Sequence, residues 1–178
     1  MSSKIDKLRE DAQKLAIKGP VEKAIKAYEM LVSMEPAALN YRQRLADLLI
    51  KAGRSDDARN ELEAIGKNFS SNGFYLKAIA IYIKMQGLFP GDISVTLVLA
   101  GLNEKLGLTA NALAEYKRVY DYYDKNSETG EAINILEKMQ NVDAQNVNIR
   151  LKLAEAYFNA GKTDESYTVF GKLATLLQ

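Results

Sequence analysis

A small residue followed four positions later by a bulky one recurs six times along the chain: Ala24/Tyr28, Ala58/Leu62, Ala78/Tyr82, Ala112/Tyr116, Ala132/Leu136 and the variant Ser166/Phe170. The steps between the small residues alternate between 34 and 20, so the period is 54 residues. Other columns keep the same register: Gly53, Gly107 and Gly161; Leu45-Ala46, Leu99-Ala100 and Leu153-Ala154; Ala24-Ile25, Ala78-Ile79 and Ala132-Ile133. Self-similarity at a fixed period restricts a chain to architectures that stack one supersecondary unit.

The unit is helical. Leu8, Ala12 and Leu15 lie on one helical face, as do Leu45, Ala46 and Leu49. Only three prolines interrupt 178 residues, and no strand pattern is present. Breaks fall at Gly19-Pro20, Pro36, Gly53, residues 71–73, Pro90-Gly91, Gly107, residues 127–130, residues 141–146 and Gly161, which divides the chain into about ten short helices. Gly19-Pro20 reads as a tight hairpin, with Gly19 ending one helix in the left-handed conformation and Pro20 opening the next. A small residue lets two helix backbones approach, and the bulky residue one turn later fills the space toward the next hairpin. Each hairpin is too small to hold a core alone, so stacking must supply it. The expectation is an all-α helical-repeat solenoid of about ten antiparallel helices, a single repeat domain over residues 1–178 and part of a longer array.

The motif Gly-x-x-x-x-Ala at Gly19/Ala24, Gly53/Ala58 and Gly107/Ala112, the aromatics Tyr28, Tyr82 and Tyr116, and the prolines Pro36 and Pro90 resemble tetratricopeptide repeats. Residues 39–70 and 146–178 fit a 34-residue helix-turn-helix unit, with the Leu-Ala pair in place of the aromatic that often opens the motif. The 20-residue steps depart from that family's pattern. They imply that the helices from about Asp56 to Phe69 and from about Thr109 to Tyr123 each serve in two repeats, giving a three-helix super-repeat of 54 residues. The resemblance implies a role in assembling or positioning a larger complex.

Composition removes most catalytic kits. Cys, His and Trp are absent, so there is no thiolate nucleophile, no imidazole base and no Cys/His metal site, and neither a cofactor nor a metal is expected. With 24 Lys+Arg against 23 Asp+Glu, no global field attracts nucleic acid. The first residues lack the apolar core of a secretory signal and no stretch is apolar enough to span a bilayer, so no direct membrane insertion and a cytoplasmic location are expected.

Local motifs read as structure. Gly161-Lys162-Thr163 lacks the earlier glycine and the strand of a phosphate-binding loop. A helix-ending glycine, a Thr163 N-cap and first-turn acids Asp164 and Glu165 account for it. Asn68-Phe69-Ser70 fits a glycosylation acceptor, but Phe69 sits where the helix needs a core residue. Acids at helix starts, such as Asp56-Asp57 and Glu128/Glu131, answer the helix dipole. Tyr116, Tyr120 and Tyr123 share one helical face and suit the core, which leaves Tyr122 for the surface.

Surplus hydrophobicity marks the candidate site. The helix from about Asp92 to Leu106 has its packing face in Leu99, Leu102 and Leu106, yet also carries Ile93, Val95, Leu97 and Val98, with Gly101 leaving a gap. Ile93 and Val95 are expected to be core. Residues 146–160 show a second stripe in Val147, Leu151 and Phe158. Leu97, Val98, Gly101, Leu151 and Phe158, with Arg44 and Lys51 from the inner-face set Arg9, Gln13, Asn40, Gln43, Arg44, Asp47 and Lys51, are the candidate groove. That set lacks the Lys and Asn combination with which some tetratricopeptide proteins clamp a terminal carboxylate. The expected function is a non-catalytic protein-interaction scaffold taking a peptide or helix of a partner. The alternative is self-association or array stacking through a last helix left uncapped at Phe170, Leu173 and Leu177.

Overall fold

A computed structural model describes residues 2–176. Among these there are ten helices and no strand: α1 (Ser2–Lys18), α2 (Val21–Met34), α3 (Leu39–Lys51), α4 (Ser55–Ser71), α5 (Tyr75–Leu88), α6 (Ile93–Lys105), α7 (Thr109–Lys125), α8 (Thr129–Val142), α9 (Val147–Asn159) and α10 (Thr163–Leu176). The fold is all-α and of the helical-repeat kind. α2, α5 and α8 have 14 residues each, α3, α6 and α9 have 13, and α4 and α7 have 17; each set begins at positions 54 apart. The chain divides into two compact units, Met1–Pro90 and Gly91–Gln178.

Turn chemistry explains the sharp boundaries. Gly53, Gly73, Gly107 and Gly161 take φ between 68° and 77°. After Gly53 the Arg54 N–H donates back to the Leu49 carbonyl at 2.8 Å. After Gly107 the Leu108 N–H reaches Asn103 at 2.9 Å, and after Gly161 the Lys162 N–H reaches Tyr157 at 2.9 Å. These bonds satisfy carbonyls that a helix end otherwise leaves without partners. Ser127 occupies the same place after α7, at φ 60°. Gly19 does not behave as the sequence suggests, because its φ lies outside the left-handed region. The following Pro20 confines it, and its glycine character answers crowding instead: a Cβ there would lie 2.8 Å from Leu15. Thr163, expected as an N-cap, is the first helical residue of α10.

In unit 1, α1 packs on α2, α2 on α3, α3 on α4 and α4 on α5. In unit 2, α6, α7, α8, α9 and α10 pack in the same sequential way. α4 thus belongs to two hairpins, and so does α7. The small residues sit where helices cross. Ala24, Ala58, Ala78, Ala112 and Ala132 are buried, and the buried Ser166 hydroxyl donates to the Ala154 carbonyl of α9 at 2.8 Å. The pairs Ala12/Ala24, Ala46/Ala58 and Ala100/Ala112 repeat the spacing of Ala154/Ser166 and are equally buried. Val95 is core and Ile93 half-buried; Tyr116 is buried, Tyr120 and Tyr123 are half-buried and Tyr122 is exposed.

Bulk is exchanged between the two units at one register position. In unit 1, Gly66 of α4 lies under the Tyr82 ring of α5, where a Cβ would meet the ring at 2.7 Å. In unit 2 the same two columns hold Tyr120 on α7 and Leu136 on α8.

Candidate functional site

Clefts open between the described helices. In unit 1, α1, α2 and α3 enclose about 300 Å³ lined by Gln13, Ile17, Tyr28, Asn40, Tyr41 and Arg44. Tyr28 and Tyr41 are the buried floor, with ring centroids 6.5 Å apart, and Arg9 Nε donates to the Tyr41 hydroxyl at 2.6 Å. In unit 2, α7, α8 and the start of α9 form a cleft of about 470 Å³. Leu113, Leu136, Met139 and Ile149 make an apolar floor, and Lys117, Asn148 and Lys152 reach its rim. Lys152 Nζ lies 4.7 Å from the centroid of the Tyr120 ring, a cation–π contact, and Lys117 pairs with Asp121 at 2.5 Å.

Two further clefts of unit 2 carry carboxylates. One, of about 400 Å³, is lined by Leu97, Tyr123, Glu131, Asn134, Ile135, Glu137, Lys138 and Asn141. The other, of about 450 Å³, is lined by Glu155, Phe158, Asn159 and Phe170.

The tyrosines nearest to carboxylates are held neutral. The Tyr116 hydroxyl donates to Glu104 at 2.6 Å, and burial first, then that acceptor, push its pKa far above the usual phenol range. The Tyr157 hydroxyl donates to Glu137 at 2.5 Å and is pushed up to about 12 by burial and then by the same kind of bond. Burial also raises Tyr82 and Tyr120. A phenol raised in this way is a fixed donor, and its role is to tie one helix to the next. Among the described residues no group of three or more Asp or Glu is arranged to hold a metal ion. No described helix is long and apolar enough to cross a membrane.

The candidate residues read from the sequence are not gathered in one place. Leu97 is half-buried in the cleft with Glu131 and Glu137, Arg44 lines the unit 1 cleft, and Phe158 stands at the α9–α10 end. Val98 and Leu151 are exposed, and with Lys51 and Gly101 they line none of these four clefts. The end face needs correction. Leu173 is only 6% exposed because it points into the chain's own core, and Leu177 lies outside the described residues. What α10 leaves open is Phe170, which shares its cleft with Phe158, and Tyr167. The α7–α9 cleft was missed, although Asn148 and Lys152 stand two periods after Asn40 and Arg44 and could have been found from them.

Comparison with known proteins places one part of the chain. The tetratricopeptide repeat family model matches residues 125–174, from the end of α7 into α10. No curated protein gives a significant match. Among solved structures, the chain is similar to MamA residues 41–end from Desulfovibrio magneticus RS-1, at 15% identity and TM-score 0.32, covering 97% of this chain and 94% of that one. A second MamA structure is 17% identical with TM-score 0.34, covering 99% of this chain and 93% of the other. A tetratricopeptide repeat protein from Parabacteroides merdae is 15% identical with TM-score 0.34, covering 96% and 79% respectively.

Proposed function

We propose that the chain is a non-catalytic scaffold that binds a segment of another protein in the clefts of its repeat units. The observation that carries this reading is the α7–α9 cleft, about 470 Å³ and open to solvent above an apolar floor of half-buried Leu113 and buried Leu136, Met139 and Ile149. Helical-repeat proteins present ligand surfaces between successive helices, and an apolar floor with a polar rim is the anatomy of a protein-docking site. The repeat of the chain is the three-helix unit of 54 residues; the recurring helix lengths support it. The work is done in the cytoplasm, without a cofactor.

The test is site-specific photocrosslinking in the source cell. A benzophenone side chain placed at the exposed cleft residue Ala114 should give a reproducible adduct with one protein, and the same group at Tyr122, outside the cleft, should not. Equal adducts at both positions would refute the cleft. A second reading, self-association, is favoured by Tyr167 and Phe170, which leave apolar surface open on α10. Sedimentation should then show concentration-dependent dimers that Phe170→Glu abolishes.

A further inference from the structure

We infer that the two register-equivalent clefts, one rimmed by Asn40 and Arg44 and the other by Asn148 and Lys152, each take an acidic side chain from a protein segment bound in that cleft. The inference rests on the protein-binding reading above and specifies the charge of the partner. Asn40 and Asn148, Tyr41 and Ile149, Arg44 and Lys152, and Tyr28 and Leu136 are pairs two periods apart, and all of them line the two clefts. The same arrangement therefore arises independently in each unit: an apolar floor, an exposed amide, and a cation one helical turn later.

The charge balance decides the chemistry. Among the described residues neither Arg44 nor Lys152 has a carboxylate partner; Lys152 rests over the Tyr120 ring, which holds its amine at the rim without neutralising it. No Asp or Glu lines either cleft. A ligand that covers such a cation without answering its charge incurs the desolvation cost with no return, whereas a carboxylate gains a charge-assisted hydrogen bond. The neighbouring clefts are opposite in kind, with Glu131 and Glu137 in one and Glu155 in the other, and would repel an acidic segment. Nucleic acid is the less suitable anion. A backbone-tracking groove needs a run of cations, whereas each cleft offers a single cation without a carboxylate partner, and the whole chain has a net charge of only +1.

The experiment selects a phage-displayed library of random dodecapeptides on the full chain and on the Arg44→Glu/Lys152→Glu double variant, with folding of each checked by circular dichroism. Peptides enriched on the unmodified chain should favour Asp and Glu over Lys and Arg by about threefold or more, and the double variant should reverse the preference. A selected peptide, fluorescein-labelled, should bind about tenfold more weakly to Lys152→Ala and with unchanged affinity to the Lys26→Ala control. Enriched peptides without acidic bias overturn the charge assignment and leave the protein-binding reading standing. Failure to enrich any peptide overturns both. Displacement of the peptide by a twenty-nucleotide oligothymidylate, dependent on Arg44 and Lys152, overturns the protein segment as the occupant.

Discussion

Gly66 and Ser127 show how single positions carry the repeat. Glycine inside a helix ordinarily costs about 0.5–1 kcal/mol relative to alanine, so Gly66→Ala would stabilise α4 if space allowed. Space does not allow it, since the new methyl would lie 2.7 Å from the Tyr82 ring, which is 5% exposed and hemmed in. Overpacking of that kind costs about 1–3 kcal/mol and wins. Gly66→Ala should therefore destabilise the protein in urea melts, and in a Tyr82→Leu background the same change should become neutral or favourable. Additive effects would mean that the two residues are not coupled. Ser127 is the reverse case. A non-glycine residue in the left-handed region costs about 1–2 kcal/mol, only part of which glycine's greater chain entropy offsets. Ser127→Gly should raise stability by about 0.5–1 kcal/mol, read as a shift of the urea midpoint with unchanged slope.

Helices are tied in pairs by the phenols of buried Tyr116 and half-buried Tyr157 as well as by apolar contact, and this gives the elements a pH signature. Tyr116 on α7 donates to Glu104 on α6, and Tyr157 on α9 donates to Glu137 on α8. Their folded pKa values lie above the unfolded phenol value near 10, so the protonated form is the one that folding favours. Stability from this source is complete below pH 10 and falls as pH rises from 10 toward the folded value of about 12 for Tyr157, because the unfolded chain loses its protons first. Urea melts from pH 9 to 11.5 should show this decline, with a shallower slope in Tyr157→Phe; an identical slope would remove Tyr157 from the account. Helix identity and position were legible in the sequence because glycines and prolines punctuate it at a constant period. The breaks at Gly53, Gly107 and Gly161 fall within two residues of the helix ends at Lys51, Lys105 and Asn159. The clefts were less legible. Apolar surplus at Val98 and Leu151 reports exposure, but which side chains flank an exposed residue depends on the angle at which consecutive helices pack, which spacing along the chain does not give. Leu173 was misread for a related reason: α9 covers one side of α10 and buries Leu173, while Phe170, in the cleft beside α9, and Tyr167 are left open.

At the scale of the molecule, each unit has a buried core of its own, centred on Ala12, Leu31, Leu45 and Ala58 in the first and on Val119, Leu136, Leu153 and Ala154 in the second. Residues 91–178 expressed alone should give a helical circular dichroism spectrum and a cooperative urea transition with a slope of about 1 kcal/mol/M. A featureless melt would show that this core is insufficient. Within each unit the helices at the two ends of the packing order have one neighbour and the others have two. α4 is gripped by α3 on one side and α5 on the other, and α7 by α6 and α8. Opening at a chain end can peel away a helix that has a single neighbour, but it reaches α4 or α7 only after a flanking helix has left. Amide hydrogens of Leu62, Ile65, Tyr116 and Val119 should therefore exchange with deuterium later than those of α1 and α10, and motion that admits a partner to a cleft should come from the swinging of α1 or α10 against helices that stay closed.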